Sequence, residues 1–153
     1  MKKVILSLII ILVNTPIIGS YTKGLNAPLV SFAKKEKLEK SVVLETVTVY
    51  NPTAYQCDKS PLITASNARI NQIKLYKKEL RWIALSRHLL KRWKGDFNYG
   101  DTVKLESGDL EIDGLWIIQD NMNKRFKNCA DLLFDSRVKK LGKWKNVKIT
   151  KVA

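Results

Sequence analysis

The stretch Gly114-Leu115-Trp116-Ile117-Ile118-Gln119-Asp120-Asn121-Met122-Asn123-Lys124-Arg125-Phe126-Lys127-Asn128-Cys129-Ala130-Asp131-Leu132-Leu133-Phe134-Asp135 decides how the chain is read. Its apolar start has the β-branched and aromatic content of a buried strand, which ends on Asp120. A polar, cationic loop follows, and a second short strand begins on Asp131. Two carboxylates therefore stand at adjoining strand ends, eleven positions apart, where a loop brings them to one face.

The same texture of short strands and turns extends in both directions. Residues 46–50 are β-branched and aromatic and close on the turn signal Asn51-Pro52. Residues 61–67 form another extended segment, with Asn67 suited to a turn because it tolerates positive φ. Residues 80–85 read as a strand, and Ser86 as the N-cap of a short helix over 87–93 with Leu89, Leu90 and Trp93 on its apolar side. Tyr99-Gly100-Asp101 turns into an alternating strand over 102–106, and Asp113-Gly114 marks the turn before the opening stretch. Residues 138–142 fit one or two helical turns, and 146–152 an alternating strand whose lysines face water. Six or seven short strands with one internal helix predict a mainly β protein, a compact barrel.

The N-terminus has a different character. Lys2 and Lys3 precede the apolar run 4–13, then Asn14-Thr15-Pro16 and the small residues Gly19-Ser20. That is the layout of a secretory signal over residues 1–20, with an uncleaved membrane anchor as its competitor. Residues 21–45, with Gly24, Pro28 and the charge cluster 34–40, read as a solvated tether, which leaves 46–153 as the folded domain. A chain of 153 residues with 45% hydrophobic content fits one core of ordinary size.

The 28 Lys+Arg against 14 Asp+Glu give a net charge of +14, which predicts attraction to polyanions. Export points that attraction to the polymers of the periplasm or cell envelope and away from nucleic acid. Membrane contact would run through the N-terminal segment alone. A monomer is expected.

Few residues are equipped for chemistry. Cys57 and Cys129 are the only cysteines; an oxidising compartment favours a disulfide between them, while spacing alone leaves two separate thiols equally open. Two Cys and one His do not make the usual four-ligand metal set, and no cofactor is indicated. His88 sits beside Arg87 with no evident orienting partner and reads as an ordinary helix residue. Most aromatic residues occupy core-like positions. Tyr55, in the polar segment 53–56, is free to stack on a sugar ring, and Lys124, Arg125 and Lys127 suit an anionic glycan.

Six segments in order carry a resemblance: Thr53-Ala54-Tyr55, Thr64-Ala65-Ser66, Trp82-Ile83-Ala84-Leu85-Ser86, Tyr99-Gly100-Asp101-Thr102-Val103, Gln119-Asp120, and Ala130-Asp131-Leu132-Leu133-Phe134. They resemble the three-aspartate (3D) domain of MltA-type lytic transglycosylases and small stationary-phase wall proteins, which is related to the RlpA-like barrels. The resemblance implies a six-stranded double-psi β-barrel with one or two short helices and a glycan groove past the strand ends. By this likeness Asp131 would be the catalytic acid and base, with Asp120 positioning it, and Tyr55 and Thr64 would line the groove. The substrate would be peptidoglycan, cleaved at the MurNAc–GlcNAc bond; a noncatalytic wall-binding barrel is the alternative. Two positions depart from the pattern. Ser86 stands where the family often has an aspartate, and Asn121-Met122-Asn123 replaces glycine-rich sequence.

Overall fold

A computed structural model describes residues 40–57, 59–140 and 142–152. The proposed signal, and the tether up to residue 39, lie outside the described residues.

Six of the ten residues of Ser41–Tyr50 are Val or Thr, and this β-branched run forms β1. It starts five residues earlier than its sequence suggests, because Glu45 interrupts the apolar run. Glu45 is accommodated at the surface, where its N–H donates to the Asn128 carbonyl (2.7 Å) and its carboxylate accepts from the Asn128 side chain (3.0 Å). The remaining strands are β2 (Trp82–Leu85), β3 (Thr102–Glu106), β4 (Gly114–Asn121), β5 (Cys129–Leu133) and β6 (Trp144–Lys151).

These strands close into a barrel in the order β1-β5-β2-β4-β3-β6. The β1–β5 and β2–β4 pairs are parallel and the others antiparallel. β5 is thus inserted between β1 and β2, and β4 between β2 and β3, the double-psi arrangement. Closure leaves no open sheet edge. Alternate residues point inward, among them Leu44, Val47, Ile83, Leu85, Val103, Leu105, Ile118, Leu132, Val147 and Ile149. Each contributes about 1.5–3 kcal/mol of burial. Trp116 fills the same core; its Nε1 donates to the Ile112 carbonyl (2.7 Å), and its ring lies 5.9 Å from that of Phe134.

The chain between β1 and β2 lies over the outside of the barrel. It carries α1 (Gln72–Tyr76), capped by the Asn71 side chain, which accepts from the N–H groups of Ile73 (3.1 Å) and Lys74 (3.0 Å). Ile70 and Leu75 pack there on Leu133, flanked by Tyr50, Leu62, Leu80 and Trp82. Asn67 adopts positive φ in its turn, as its residue type predicts.

The expected helix over 87–93 is instead two 3₁₀ turns, Arg87–Leu89 and Lys91–Trp93, broken at an extended Leu90. Leu90 is buried and bridges to Phe97, a pairing that a continuous helix would forbid. Gly95 makes the return possible, since a Cβ there would lie 2.2 Å from the Leu89 carbonyl carbon. Ser86 does not cap this segment: it is fully buried, and its hydroxyl both donates to the Cys129 carbonyl (3.1 Å) and accepts from the Cys129 N–H (2.9 Å). The helical turns expected over 138–142 are absent at 138–140 and 142; the chain instead turns at 136–138, where Arg137 donates to the Asp135 carboxylate (2.8 Å) and the Val138 N–H to the Asp135 carbonyl (2.9 Å). On β6, Lys145 and Lys148 face water, while the half-buried Lys151 donates to Asp101 (2.6 Å).

Candidate active site

Strand alternation decides which side chains the outer face presents. Val47 faces the core on β1, so Thr48 and Tyr50 face out; Ala130 and Leu132 do so on β5, so Asp131 and Leu133 face out. On β2, Ile83 and Leu85 point in and Ala84 out. Alternation on β4 would send Asp120 inward with Trp116 and Ile118. It does not, because the register slips: Ile83 lies opposite Ile118, but Ala84 opposite Asp120. Gln119 is the extra residue of a β-bulge, and the bulge turns Asp120 to the same face as Asp131.

The bulge is held from outside by the turn 64–67. The Ser66 N–H donates to the Gln119 carbonyl (3.1 Å) and the Ser66 hydroxyl to Gln119 Oε1 (2.5 Å). Thr48, Asp131, Ala84 and Asp120 then form a row across four adjacent strands. The Cα atoms of the two aspartates are separated by two strand spacings, roughly 10 Å. Ala84 is the residue between them in the row.

The two carboxyl groups sit in unlike surroundings. Asp131 accepts from the Thr48 hydroxyl. Its pKa is raised, chiefly by burial and further by the Asp120 charge, with the Thr48 hydrogen bond opposing. Asp120 accepts from the Tyr50 hydroxyl (3.3 Å), the Ala65 N–H (3.1 Å) and the Asn121 N–H (2.8 Å), which anchor it as an acceptor. The Tyr50 phenol is pushed well above its ordinary pKa by burial first, then by Asp120, Cys57, and Asp131, so it remains a donor. Beyond Asp120, the Tyr99 hydroxyl donates to Asn121 Oδ1 (2.6 Å). One group poised to hold a proton thus sits beside a carboxyl gripped by three donors, a pairing suited to acid–base work on a ligand lying along the row.

Other residues singled out from the sequence take different places. Thr64 does not line the row; it is 5% exposed, and its hydroxyl donates to the Ala68 carbonyl (3.2 Å), closing the turn whose Ala65 N–H reaches Asp120. Tyr55 is 97% exposed in the turn after β1. Lys124 and Arg125 are exposed in the β4–β5 loop, with Arg125 over the Phe126 ring at 4.8 Å.

Cys57 and Cys129 are not joined. Cys129 pairs in register with Thr46, whereas Cys57 Sγ donates to the Asn51 carbonyl (3.4 Å), just past the end of β1 and five residues from Thr46. Five strand residues span roughly 17 Å, well beyond a disulfide's reach. Burial, then Glu45 and Asp131, push the Cys129 thiol up, which disfavours the thiolate. His88 Nε2 is hydrogen-bonded to Asn128 Oδ1 (2.9 Å).

Sequence reasoning misses Thr48 and Tyr50, whose residue types fit ordinary strand and packing positions. The signal was present: both fall at outward positions on β1, alternating with Val47 and Val49. No family model and no curated protein matches the chain.

Proposed function

We propose that the protein cleaves peptidoglycan in the cell envelope as a lytic transglycosylase, with Asp131 as the proton carrier. The observation that carries this reading is the placement of a desolvated Asp131 beside an anchored Asp120 on one outer face of the barrel. The six ordered sequence motifs and the closed six-stranded barrel support it.

Protonated Asp131 delivers its proton to the glycosidic oxygen as the C1–O bond breaks. The muramic acid's own 6-hydroxyl then attacks C1, forming the 1,6-anhydro ring, and its proton goes to the Asp131 carboxylate. One carboxyl serves both steps, and no water enters. Asp120 keeps Asp131 protonated through like-charge repulsion and stabilises the cationic character that develops at C1. Tyr50 and the Ala65 N–H hold Asp120 in place.

The test is to incubate the purified protein and its Asp131→Asn variant with peptidoglycan and to analyse the products by mass spectrometry. The wild type should release 1,6-anhydromuropeptides and the variant should lose at least about 100-fold in rate. Binding of wall by the wild type without anhydro products would replace the enzyme with a noncatalytic wall-binding barrel. Anhydro products at an undiminished rate from the variant would remove Asp131 from the role.

A further inference from the structure

Two cations stand at the Asp120 end of the row. Arg87 and Arg92 lie in the 3₁₀ turns that follow β2, their guanidinium carbons 5.3 and 5.4 Å from the centre of the Trp93 ring. Stacking on an aromatic ring fixes a guanidinium plane while leaving its edge N–H groups available to an acceptor. Among the described residues neither arginine takes part in an ion pair. Arg87 Nε is also buried without a hydrogen-bond partner.

Register ties this cluster to the carboxylates. β2 ends with Leu85 opposite Asn121, so the turn starting at Arg87 leaves the sheet beside the end of β4. Tyr99 is fixed on the β4 side: its hydroxyl donates to Asn121 Oδ1 (2.6 Å), and the next residue, Gly100, donates its N–H to the Ile118 carbonyl (2.7 Å). The Tyr99 phenol is raised by burial and by Asp120, and drawn back by Arg92 and Arg87, so it feels the carboxylate and both cations. The support is rigid, because Leu90 bridges to Phe97 and Gly95 is seated against the Leu89 backbone.

We propose that Arg87 and Arg92, braced on Trp93, form an anion subsite that takes a carboxylate of the glycan strand whose neighbouring sugar lies at Asp131 and Asp120. The inference rests on the reading of the row as a glycan-cleaving site. A guanidinium fork matches the two oxygens of a carboxylate, and peptidoglycan offers that group either as a free lactyl acid on stripped strands or within the stem peptide. The subsite fixes where the strand sits and leaves the proton transfer to Asp131.

The experiment uses the full chain carrying Asp131→Asn, which holds strands without cutting them. Its affinity is measured by titration calorimetry for peptide-free strands, for peptide-bearing strands and for neutral N-acetylglucosamine oligomers. Adding Arg92→Gln, and separately Arg87→Gln, should weaken binding of the charged strands about tenfold while leaving the neutral oligomers unchanged. Loss confined to peptide-free strands identifies the lactyl acid, loss confined to peptide-bearing strands the stem carboxylates, and loss on both a subsite open to either. Unchanged affinity, equal loss on charged and neutral ligands, or no binding of any strand overturns the subsite. Arg92 is exposed, so its variant keeps the test readable if Arg87→Gln impairs folding. Digestion by the wild-type protein reports separately: products with no arginine dependence remove the subsite alone, and arginine-dependent binding without products removes the enzyme alone.

Discussion

Asp131 sits where its charged form is disfavoured. Burial and the Asp120 charge raise its pKa, and the Thr48 hydrogen bond only partly offsets them. A carboxyl whose folded pKa lies above its unfolded value near 3.9 binds its proton more tightly in the native state. Native stability therefore falls as pH rises from the unfolded pKa through the raised folded one. Asn removes the titration and still offers Thr48 an acceptor oxygen. The Asp131→Asn protein should consequently melt at a higher temperature than wild type at about pH 7, and the gain should nearly vanish at about pH 3, where the wild-type carboxyl is mostly protonated in both folded and unfolded chains. Melts followed by circular dichroism at the two pH values check this; a variant less stable at both would mean that the carboxylate contributes to the fold.

At the scale of the elements, Ser86 clamps β2 to β5. With its hydroxyl donating to one main-chain group of Cys129 and accepting from another, Ser86→Ala leaves the Cys129 N–H without its acceptor. A loss of about 1–3 kcal/mol is expected, measured by urea unfolding, and a loss within error would make the hydroxyl incidental. Ser86 also shows where sequence reading stops. Read as a helix cap from its place before an apolar run, it serves a strand 43 residues away that no local pattern reveals. Local alternation finds the barrel strands, with β3 where its residues predict, Thr102–Glu106, but it also reads 61–67 as extended, where the chain instead turns and Ile63 makes an isolated bridge to Arg69. Pairing was another matter, because β5 enters between β1 and β2 and only the assembled barrel shows it. The carboxylates divide in the same way. Asp131 alternates with buried Ala130 and Leu132 and is legible as outward-facing, whereas Asp120 shares the parity of core residues and reaches the outer face only through the bulge at Gln119. α1, five residues with a single buried side chain, is too short to leave a helical period.

For the whole molecule the governing quantity is the net charge of +14. Several acids are already engaged: Lys140 lies 3.3 Å from Asp109 and 2.6 Å from Glu111, Lys78 reaches Glu111 at 3.3 Å, and Lys104 reaches Glu106 at 2.8 Å. Surface pairs of this kind add little to stability, so the surplus of cations sets the long-range field. That field repels within the folded chain and attracts polyanions, and salt screens both effects. Raising ionic strength from about 0.01 M to about 0.1 M shortens its reach from about 30 Å to about 10 Å. Melting temperature should therefore rise over that range while sedimentation with purified wall falls, the two moving in opposite directions on one titration. If both fell together, the local ion pairs would outweigh self-repulsion, and the surplus charge would act on the partner alone.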